Sequence, residues 1–251
     1  MKPKINALLI GAAIAAVLGG VIASGQNQLA LAGGNGHTNS QQIGFTDEFF
    51  LEDCTFSNTG SNRFFILEPN YQAVLTGVEE NEDVELIVNV TDETLNVNGV
   101  ETRVVEEIES HDGELVEISR NYFAMCEETN SVFYFGEDTQ FYENGQPVPG
   151  GEAESWHAGV NDANAGLFMP GIVLLGAKYQ EETAPDVAMD QGQVISLSET
   201  VDTPAQTFDD VLRIKETTPL EPGEVEYKYF AAGVGIIQDG TLKLESAGFI
   251  N

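Results

Sequence analysis

The sequence predicts a mainly β fold, built as a single large antiparallel sheet with little helix. Short runs rich in valine, isoleucine, threonine and aromatic residues recur along the chain, and Asn-Gly or Asp-Gly pairs separate them at residues 98–99, 112–113, 144–145 and 239–240. Such pairs accept the positive φ angles of tight hairpin turns, so they indicate strands that follow one another as a meander. No segment resembles a strand, a crossover helix and a second strand, which disfavours a parallel sheet.

Two segments show the alternation of a strand with one apolar face and one solvated face. Residues 84–91 alternate valine and leucine with glutamate, asparagine and threonine, and Ile87 is the exception. Residues 224–229 alternate Glu, Glu and Lys with Val, Tyr and Tyr. We therefore expect Lys228 to lie on the solvated face of its strand.

Residues 1–32 have the pattern of an export signal. Two lysines precede residues 6–23, which are nearly all apolar or small, and residues 30–32 (Ala-Leu-Ala) form a small-x-small cleavage site. We expect cleavage after Ala32 and export to the periplasm, the cell surface or the medium. The alternative is an uncleaved membrane anchor, but glycine and serine interrupt the apolar run, which falls short of the roughly 20 residues of a comfortable span.

The chain beyond this signal divides into a short leader and one domain. Residues 33–44 have almost no apolar content and predict a disordered leader. Residues 45–251 predict a single antiparallel β domain. At its start, residues 45–53 are apolar behind the candidate cap Thr46 and predict one short helix. Residues 146–170 are rich in proline and glycine, and predict either a long loop across one mouth of the sheet or a seam between two sub-sheets.

The exported chain is strongly acidic. The whole chain has 41 acidic and 10 basic residues and a formal net charge of −31, and removal of residues 1–32 takes away two of the lysines. This balance disfavours nucleic acids and anionic membranes as partners, because both bind proteins through lysine and arginine. It is typical of a self-repelling, soluble surface, and the alternative is an adaptation to salty or divalent-rich surroundings.

The chain has two cysteines, Cys54 and Cys126. In an oxidising compartment an isolated pair is most simply a disulfide, which here would connect the N-terminal segment to the body of the domain. The alternative is a thiol nucleophile, which the lack of a histidine nearby in the sequence disfavours. A separate modification signal is Asn89-Val90-Thr91, which matches the N-glycosylation sequon and places Asn89 on the solvated face of its strand.

Several motifs follow one another in the second half of the chain. They are Tyr-Phe-Gly-Glu-Asp at 134–138, Ser-Trp-His-Ala-Gly at 155–159, Thr-Pro-Leu-Glu-Pro-Gly at 218–223 and Ala-Ala-Gly-Val-Gly at 231–235. In this order they resemble a widespread family of exported prokaryotic proteins that has no settled activity. The resemblance covers most of residues 64–250.

This resemblance implies an antiparallel sheet curled into a half-barrel, similar to the fold of periplasmic lipoprotein carriers. It implies no catalytic residue. Two positions depart from the family pattern, since His157 stands where we expect an arginine in relatives and Ala232 stands where we expect a proline. The first departure removes the fixed positive charge on which a binding role in relatives would rely.

The sequence has no motif that names a reaction. Its three histidines do not lie at a metal-ligand spacing such as His-x-x-x-His, and no Gly-x-Ser-x-Gly elbow occurs. Among the many carboxylates, Glu137, Asp138 and Glu143 around the Asn144-Gly145 turn are the first candidates for a calcium site. The alternative, for these and for the paired acids within residues 181–190, is a solvated acidic surface.

The candidate ligand-binding residues are Trp156, Phe168, Met169 and Tyr179. They flank the proline- and glycine-rich segment, where a curled sheet has its mouth. Aromatic and methionine side chains at such a place line apolar pockets that hold a lipid or another small ligand. The alternative is that they close the core.

These observations favour an exported, non-enzymatic protein that binds an apolar or amphipathic small ligand in the concavity of its sheet. The alternative is a structural or interaction protein of the cell envelope, with a filled interior and an acidic surface that associates with cations. No cofactor is expected other than calcium at the acidic candidates. A carboxylate-based hydrolase is the third hypothesis, and it requires two carboxylates about 5–9 Å apart in a cleft.

Overall fold

The computed structural model of the protein describes residues 44–250. In that range the chain forms sixteen strands, joined as one antiparallel sheet, and a 3-10 turn at Leu51–Asp53, so the predicted mainly β fold is confirmed. The predicted signal peptide and residues 33–43 of the predicted leader lie outside the described residues. The strands are β1 (Phe56–Ser57), β2 (Tyr71–Glu79), β3 (Glu82–Val97), β4 (Val100–His111), β5 (Glu114–Cys126), β6 (Ser131–Glu143), β7 (Gln146–Pro147), β8 (Trp156–His157), β9 (Asn164–Met169), β10 (Lys178–Gln180), β11 (Glu182–Thr183), β12 (Gln191–Asp202), β13 (Thr207–Thr217), β14 (Glu226–Ala231), β15 (Gly235–Asp239) and β16 (Leu242–Phe249).

The sheet is a meander of two halves. Strands β2 to β6 pair in sequence order, strands β12 to β16 do the same, and β16 pairs with β2 to connect the halves. The four predicted turn pairs connect β3 with β4, β4 with β5, β6 with β7, and β15 with β16, as expected. In the first three turns both residues of the pair have positive φ, which is the conformation of a type I′ hairpin turn.

Of the short helix predicted over residues 45–53, the structure has only the 3-10 turn at Leu51–Asp53. Residues 45–50 are not helical, and the backbone of Thr46 bonds to β10 instead of capping a helix. The N–H of Thr46 donates to the carbonyl of Lys178 at 3.0 Å, and its carbonyl accepts from the N–H of Gln180 at 2.8 Å. Tertiary bonding and burial therefore outweigh the local helical pattern, since a helix this short has little stability of its own. Within residues 44–250, none of the helical segments has the length and apolar character that a membrane span requires.

Residues 146–170 form strands rather than a long loop. This segment contains β7, β8 and β9, and each of them pairs with β6. Strand β9 pairs on its other side with β11. The segment therefore extends the same sheet beyond β6, and both predicted alternatives, a loop across the mouth and a seam between sub-sheets, are wrong for the described chain.

The two edges of the sheet meet at one short stretch of chain. The pairing order begins with β10, which pairs with β12, and ends with β11, which pairs with β9. Only Glu181 separates β10 from β11 in the sequence. Residues 178–183 therefore bond to both edges and curl the sheet into a nearly closed barrel.

Two glycines make room for this junction. A Cβ atom at Gly166 would lie 2.5 Å from the carbonyl oxygen of Glu181, and a Cβ atom at Gly192 would lie 2.5 Å from its carboxylate Oε1. Both distances are far too short for a carbon–oxygen contact. Strands β9 and β12 therefore approach Glu181 because these two positions have no side chain.

Apolar side chains form two clusters in the sheet. The larger contains an aromatic group in which Phe123 stacks on Tyr134 with ring centroids 4.8 Å apart, and Phe168 lies 4.9 Å from Phe123. The smaller lies between β2, β3 and β12 to β16, and includes the fully buried Leu75 and Ile237. The clusters supply the apolar burial that drives folding.

Cys54 and Cys126 form the predicted disulfide. Their α-carbons are 5.2 Å apart, within the usual range for such a bond. Directly after the bridge, β1 pairs with the end of β5, and the ring of Phe56 packs edge to face on Phe133 and Phe135. The bond therefore fixes the N-terminal segment over part of the aromatic core.

Removal of the disulfide is expected to destabilise the fold strongly. The bridge spans 72 residues, and loop closure over that length corresponds to about 4 kcal/mol in the chain-entropy account. Replacement of both Cys54 and Cys126 by alanine should lower the free energy of unfolding by this amount in urea titrations. The reduced wild type is the control for the substitutions themselves, and a loss below about 1 kcal/mol in both would contradict the entropic role.

Candidate functional site

A bulge in β6 decides which of its side chains face the interior of the barrel. Between Tyr134 and Gly136, β6 has one residue more than the facing part of β5. The extra residue shifts the alternation, so that Tyr134 and Glu137 both point inward. Glu137 is fully buried, whereas Asp138 is exposed on the outer side. One strand thus supplies an acidic side chain to each face of the sheet.

On the outer side, Asp138 forms a hydrogen-bonded group with Tyr122 and His157. The Tyr122 hydroxyl donates to Oδ2 of Asp138 at 2.6 Å, and Nε2 of His157 lies 2.9 Å from Oδ1. The rings of Tyr122 and His157 meet edge to face with centroids 5.3 Å apart. Burial, together with the bond to Asp138, raises the pKa of the Tyr122 hydroxyl, so this side chain stays a donor that orients the carboxylate.

A cleft of about 240 Å³ opens beside this group. Its wall combines apolar side chains such as Val160 and Val187 with the polar pair of Asp138 and His157. The lone tryptophan of the chain, Trp156, also lines it. The volume lies slightly below the roughly 300–1,000 Å³ of common small-molecule sites, so the cleft suits a small ligand or one end of a larger one.

Of the four residues predicted to bind a ligand, Trp156 is the one that lines this cleft. Its ring packs edge to face on Tyr134 with centroids 5.1 Å apart. Phe168 belongs to the aromatic core, Met169 is fully buried, and Tyr179 is 2% exposed. Trp156 is itself 5% exposed and belongs to the same core cluster, so all four residues pack in the core and Trp156 also borders the cleft.

The three residues predicted as a calcium site are not brought together. Glu137 faces the interior, Asp138 faces the outer side, and Glu143 is exposed at the end of β6. Among residues 44–250, the one set of three candidate ligand atoms within 4.8 Å of one another comprises the two disulfide sulfurs and the Glu128 carboxylate. Sulfurs joined in a disulfide are not thiolate ligands, so that set is not a metal centre.

Asn89, in the predicted glycosylation sequon, lies in the middle of β3 and is partly buried. Its Oδ1 accepts a hydrogen bond from Nε2 of Gln72 at 2.7 Å. The Asn89 side chain is therefore bonded within the sheet and is less accessible than a side chain on a solvated face.

The interior of the barrel is acidic, which the alternation of the strands did not predict. Lys228, expected on a solvated face, is 4% exposed, and its ammonium bonds to the Glu216 carboxylate at 2.8 Å. Tyr227 and Tyr229 lie partly exposed on the outer side, with ring centroids 4.0 and 5.4 Å from the Arg213 guanidinium carbon. This cation–π contact stabilises the tyrosines on the outer side, and the Lys228–Glu216 ion pair forms on the inner side.

Seven carboxylates lie within electrostatic reach of Lys228, and each is buried or partly buried. We call this group, with Lys228, the acidic core. One ammonium cannot neutralise seven carboxylates, so the interior approaches neutrality only when protons or a cation bind there. The carboxylates are Glu107, Glu137, Glu181, Asp190, Glu216, Glu226 and Asp239.

Burial raises the pKa of carboxylates in the acidic core. It raises the pKa of Glu107 and of Asp190 to about 7 and that of Asp239 to about 6, and the nearby Lys228 opposes each rise. Burial also raises the pKa of Glu137. Glu181 and Asp190, expected on a solvated acidic surface, are 4% and 6% exposed, so that expectation is wrong for this part of the chain.

Comparisons of the chain with protein-family models, with curated proteins and with solved structures find no match. The resemblance to a family of exported prokaryotic proteins therefore stays a prediction. Two places in the described structure combine polar or charged side chains in a way that suits binding, the cleft beside Trp156 and the acidic core.

The cleft offers groups for recognition rather than an activated nucleophile. Ser155, which lines it, accepts a hydrogen bond at Oγ from the backbone N–H of Thr139 at 2.9 Å. His157 and Asp138 are bonded to each other, and neither is bonded to that hydroxyl. The arrangement can orient a bound molecule through His157 and hold it by apolar contact.

Stability is expected to rise as the pH falls from 8 to 5. In the unfolded chain the carboxylates have pKa values of about 4, whereas the folded values of Glu107, Asp190 and Asp239 are about 6 to 7. The stabilisation that these carboxylates contribute is complete below their pKa in the unfolded chain. It is lost as the pH rises through their pKa in the folded protein. Each proton held only by the folded state changes the free energy of unfolding by about 1.4 kcal/mol per pH unit.

Urea titrations at several pH values in 1 M NaCl measure this effect. At that salt concentration the screening length is about 3 Å, so surface repulsion contributes little. Glu107→Gln should make the pH dependence shallower, and the matched exposed variant Glu143→Gln should leave it unchanged. Stability that declines from pH 8 to pH 5, as in ordinary acid denaturation, would show that the acidic core does not hold extra protons.

Proposed function

We propose that the protein is an exported, non-enzymatic binding protein that holds a small amphipathic ligand in the cleft beside Trp156. The observation that carries this proposal is the composition of the cleft. An apolar wall that includes Val160 and Val187 meets one polar pair, Asp138 and His157. Small-molecule sites use this combination, with apolar contacts for affinity and a few polar groups for orientation.

The cleft suits such a ligand better than the concavity of the sheet does. The inner face carries the aromatic core at one place and the acidic core at another. An apolar chain placed against buried carboxylates would strip them of their remaining solvation, which costs free energy. The cleft has no such penalty, because Asp138 is exposed and already bonded to Tyr122 and His157.

Charge narrows the class of ligand. The chain has a formal net charge of −31, so its field repels anions such as fatty-acid carboxylates and phosphates. A neutral or cationic head group beside Asp138 avoids that repulsion. We therefore favour a neutral amphipath with hydroxyl groups at its polar end.

Export is supported by the disulfide. The Cys54–Cys126 bond persists in oxidising compartments and is rare in reducing ones. The acidic surface agrees with this assignment, since it keeps a protein soluble outside the cell.

A specific observation favours the second candidate function, an interaction protein of the cell envelope with an acidic, cation-associating surface. The connection between β9 and β10 exposes Ile172, Leu174 and Leu175, with 78%, 64% and 68% of their surface accessible. Large apolar side chains grouped in this way on a surface are typical of contacts between proteins.

Ligand binding at the cleft is expected to change the fluorescence of Trp156, the only tryptophan in the chain. Octyl glucoside below its micelle concentration serves as a neutral amphipathic probe, and octanol and glucose represent its two parts. Val160 is 53% exposed on the cleft wall, so Val160→Glu places a charge in the apolar region without disturbing the core. It should weaken binding at least about tenfold, or about 1.4 kcal/mol.

The matched control is Val225→Glu, which adds the same charge at a position 45% exposed and away from the cleft. This variant should bind the probe as the wild type does. Equal weakening in both variants would point to a general effect of charge. A constant fluorescence with every probe, together with native mass spectrometry that finds the purified protein free of ligand, would reject the cleft as a binding site.

A further inference from the structure

A patch of oxygen-bearing side chains lines the interior on β4, β5 and β6, on the opposite face of β6 from Asp138. Glu107, Ser119 and Thr139 lie side by side in register across these strands, and Glu117 and Glu137 lie in the neighbouring rows. Directly opposite side chains have Cβ atoms about 4.5–5.5 Å apart, which applies to Glu107, Ser119 and Thr139. Glu117 and Glu137 flank this row, one on each side of it, on the same face of the sheet. We call the five side chains the oxygen patch.

Four oxygen atoms of the oxygen patch lack a hydrogen bond. They are both carboxylate oxygens of Glu137, Oε2 of Glu117 and Oγ1 of Thr139. Glu137 is 0% exposed, so its carboxylate lies wholly inside the barrel. Buried acceptors without a partner destabilise a fold and are rare, so four in one patch require a physical reason.

The neighbouring hydroxyls do not satisfy Glu137. The hydroxyl of Ser119 donates to Glu117 at 2.6 Å, and that of Tyr134 donates to Asn121. A hydroxyl has one proton to donate, so neither has a second one for Glu137. Thr139 is the remaining hydroxyl beside it, and it can serve only one of the two carboxylate oxygens.

Lys228 does not supply the missing positive charge either. Its ammonium is bonded to Glu216 at 2.8 Å, which is its one ion pair within 4.0 Å in the described part of the chain. Asp239 and Glu216 act on it most strongly among the carboxylates. The lysine is therefore held on the side of β13 and β15, and neutralisation of the oxygen patch is left to protons or to a bound cation.

We propose that the oxygen patch binds a calcium-sized divalent cation, with Glu137 as the central ligand and Glu117, Thr139 and Glu107 as the others. All the donors are oxygen atoms, which hard cations prefer. Ca²⁺ accepts about six to eight oxygens at roughly 2.3–2.6 Å in a flexible geometry, which suits donors on three strands. Glu107 is partly exposed, so the patch meets solvent on that side.

Binding draws the carboxylates together. The three glutamates do not place their oxygens within 4.8 Å of one another, so the proposed site requires Glu107 and Glu117 to approach Glu137 by rotation about their side-chain bonds. Glu137 belongs both to this proposed site and to the calcium site predicted from sequence. The other two predicted ligands, Asp138 and Glu143, lie outside the barrel, and Glu107, Glu117 and Thr139 take their place.

Thermal denaturation of the purified protein at pH 7.5 tests this proposal, with CaCl2 and NaCl compared at equal ionic strength. Calcium should raise the melting temperature beyond the effect of sodium, because binding to the folded state alone stabilises it. Glu137→Gln keeps the shape of the side chain and removes its charge. The calcium-specific rise should vanish in this variant, and calorimetric affinity for calcium should fall at least about tenfold.

Two further measurements separate loss of the site from loss of the fold. Without calcium, Glu137→Gln should be as stable as the wild type or more stable, since it removes a buried unpaired charge. Glu143→Gln, an exposed change on the same strand, should keep the full response, and Thr139→Val should weaken it. The proposal is overturned by equal effects of calcium and sodium, by a calcium-specific rise that persists in Glu137→Gln, or by an equal loss in Glu143→Gln.

Discussion

The rest of the structure depends on the way in which residues 178–183 bond to both edges of the sheet. Strand β10 pairs with β12, β11 pairs with β9, and Glu181 between them is held where Gly166 and Gly192 leave room. This closure satisfies backbone groups that an open sheet would leave unpaired at its edges. It also removes water from the inner faces of the strands. The raised pKa values of Glu107 and Asp190 are therefore consequences of closure, since burial is their main cause.

Closure of the barrel makes two large and opposite contributions to the stability of the fold. Burial of the two apolar clusters stabilises the barrel, whereas burial of seven carboxylates beside a single lysine destabilises it. The ion pair of Lys228 with Glu216 relieves only part of this cost, because the other carboxylates still lack a counter-charge. The disulfide and the aromatic group around Phe123 hold the barrel closed despite that cost. A fold that keeps such a group buried has a strong tendency to take up protons or cations.

Local signals in the sequence predicted the meander but not the contents of the barrel. Each turn pair acts over a few residues, so the hairpins could be placed from sequence. Alternation reports only that two faces differ, and at β14 the face that carries Lys228 is the inner one, while Tyr227 contacts Arg213 on the outer side. The bulge that turns Glu137 inward lies next to Gly136, and an isolated glycine within a strand is a signal for a bulge that alternation alone does not use. A sign of the acidic interior was present in doublets such as Glu106-Glu107, because successive residues of a strand face opposite sides and one of them must face inward.

The two candidate sites share strand β6. Glu137 points into the barrel and Asp138 points into the cleft, and β8 pairs with β6 at this position, with Trp156 opposite Glu137. The backbone approach is close, since a Cβ atom at Gly136 would lie 2.7 Å from the carbonyl oxygen of Trp156. A proton or a cation that neutralises Glu137 therefore acts next to the backbone of β6 and β8, which forms one wall of the cleft. Thermodynamic linkage makes any such effect reciprocal, so a ligand that orders the cleft changes the affinity of the interior by the same factor.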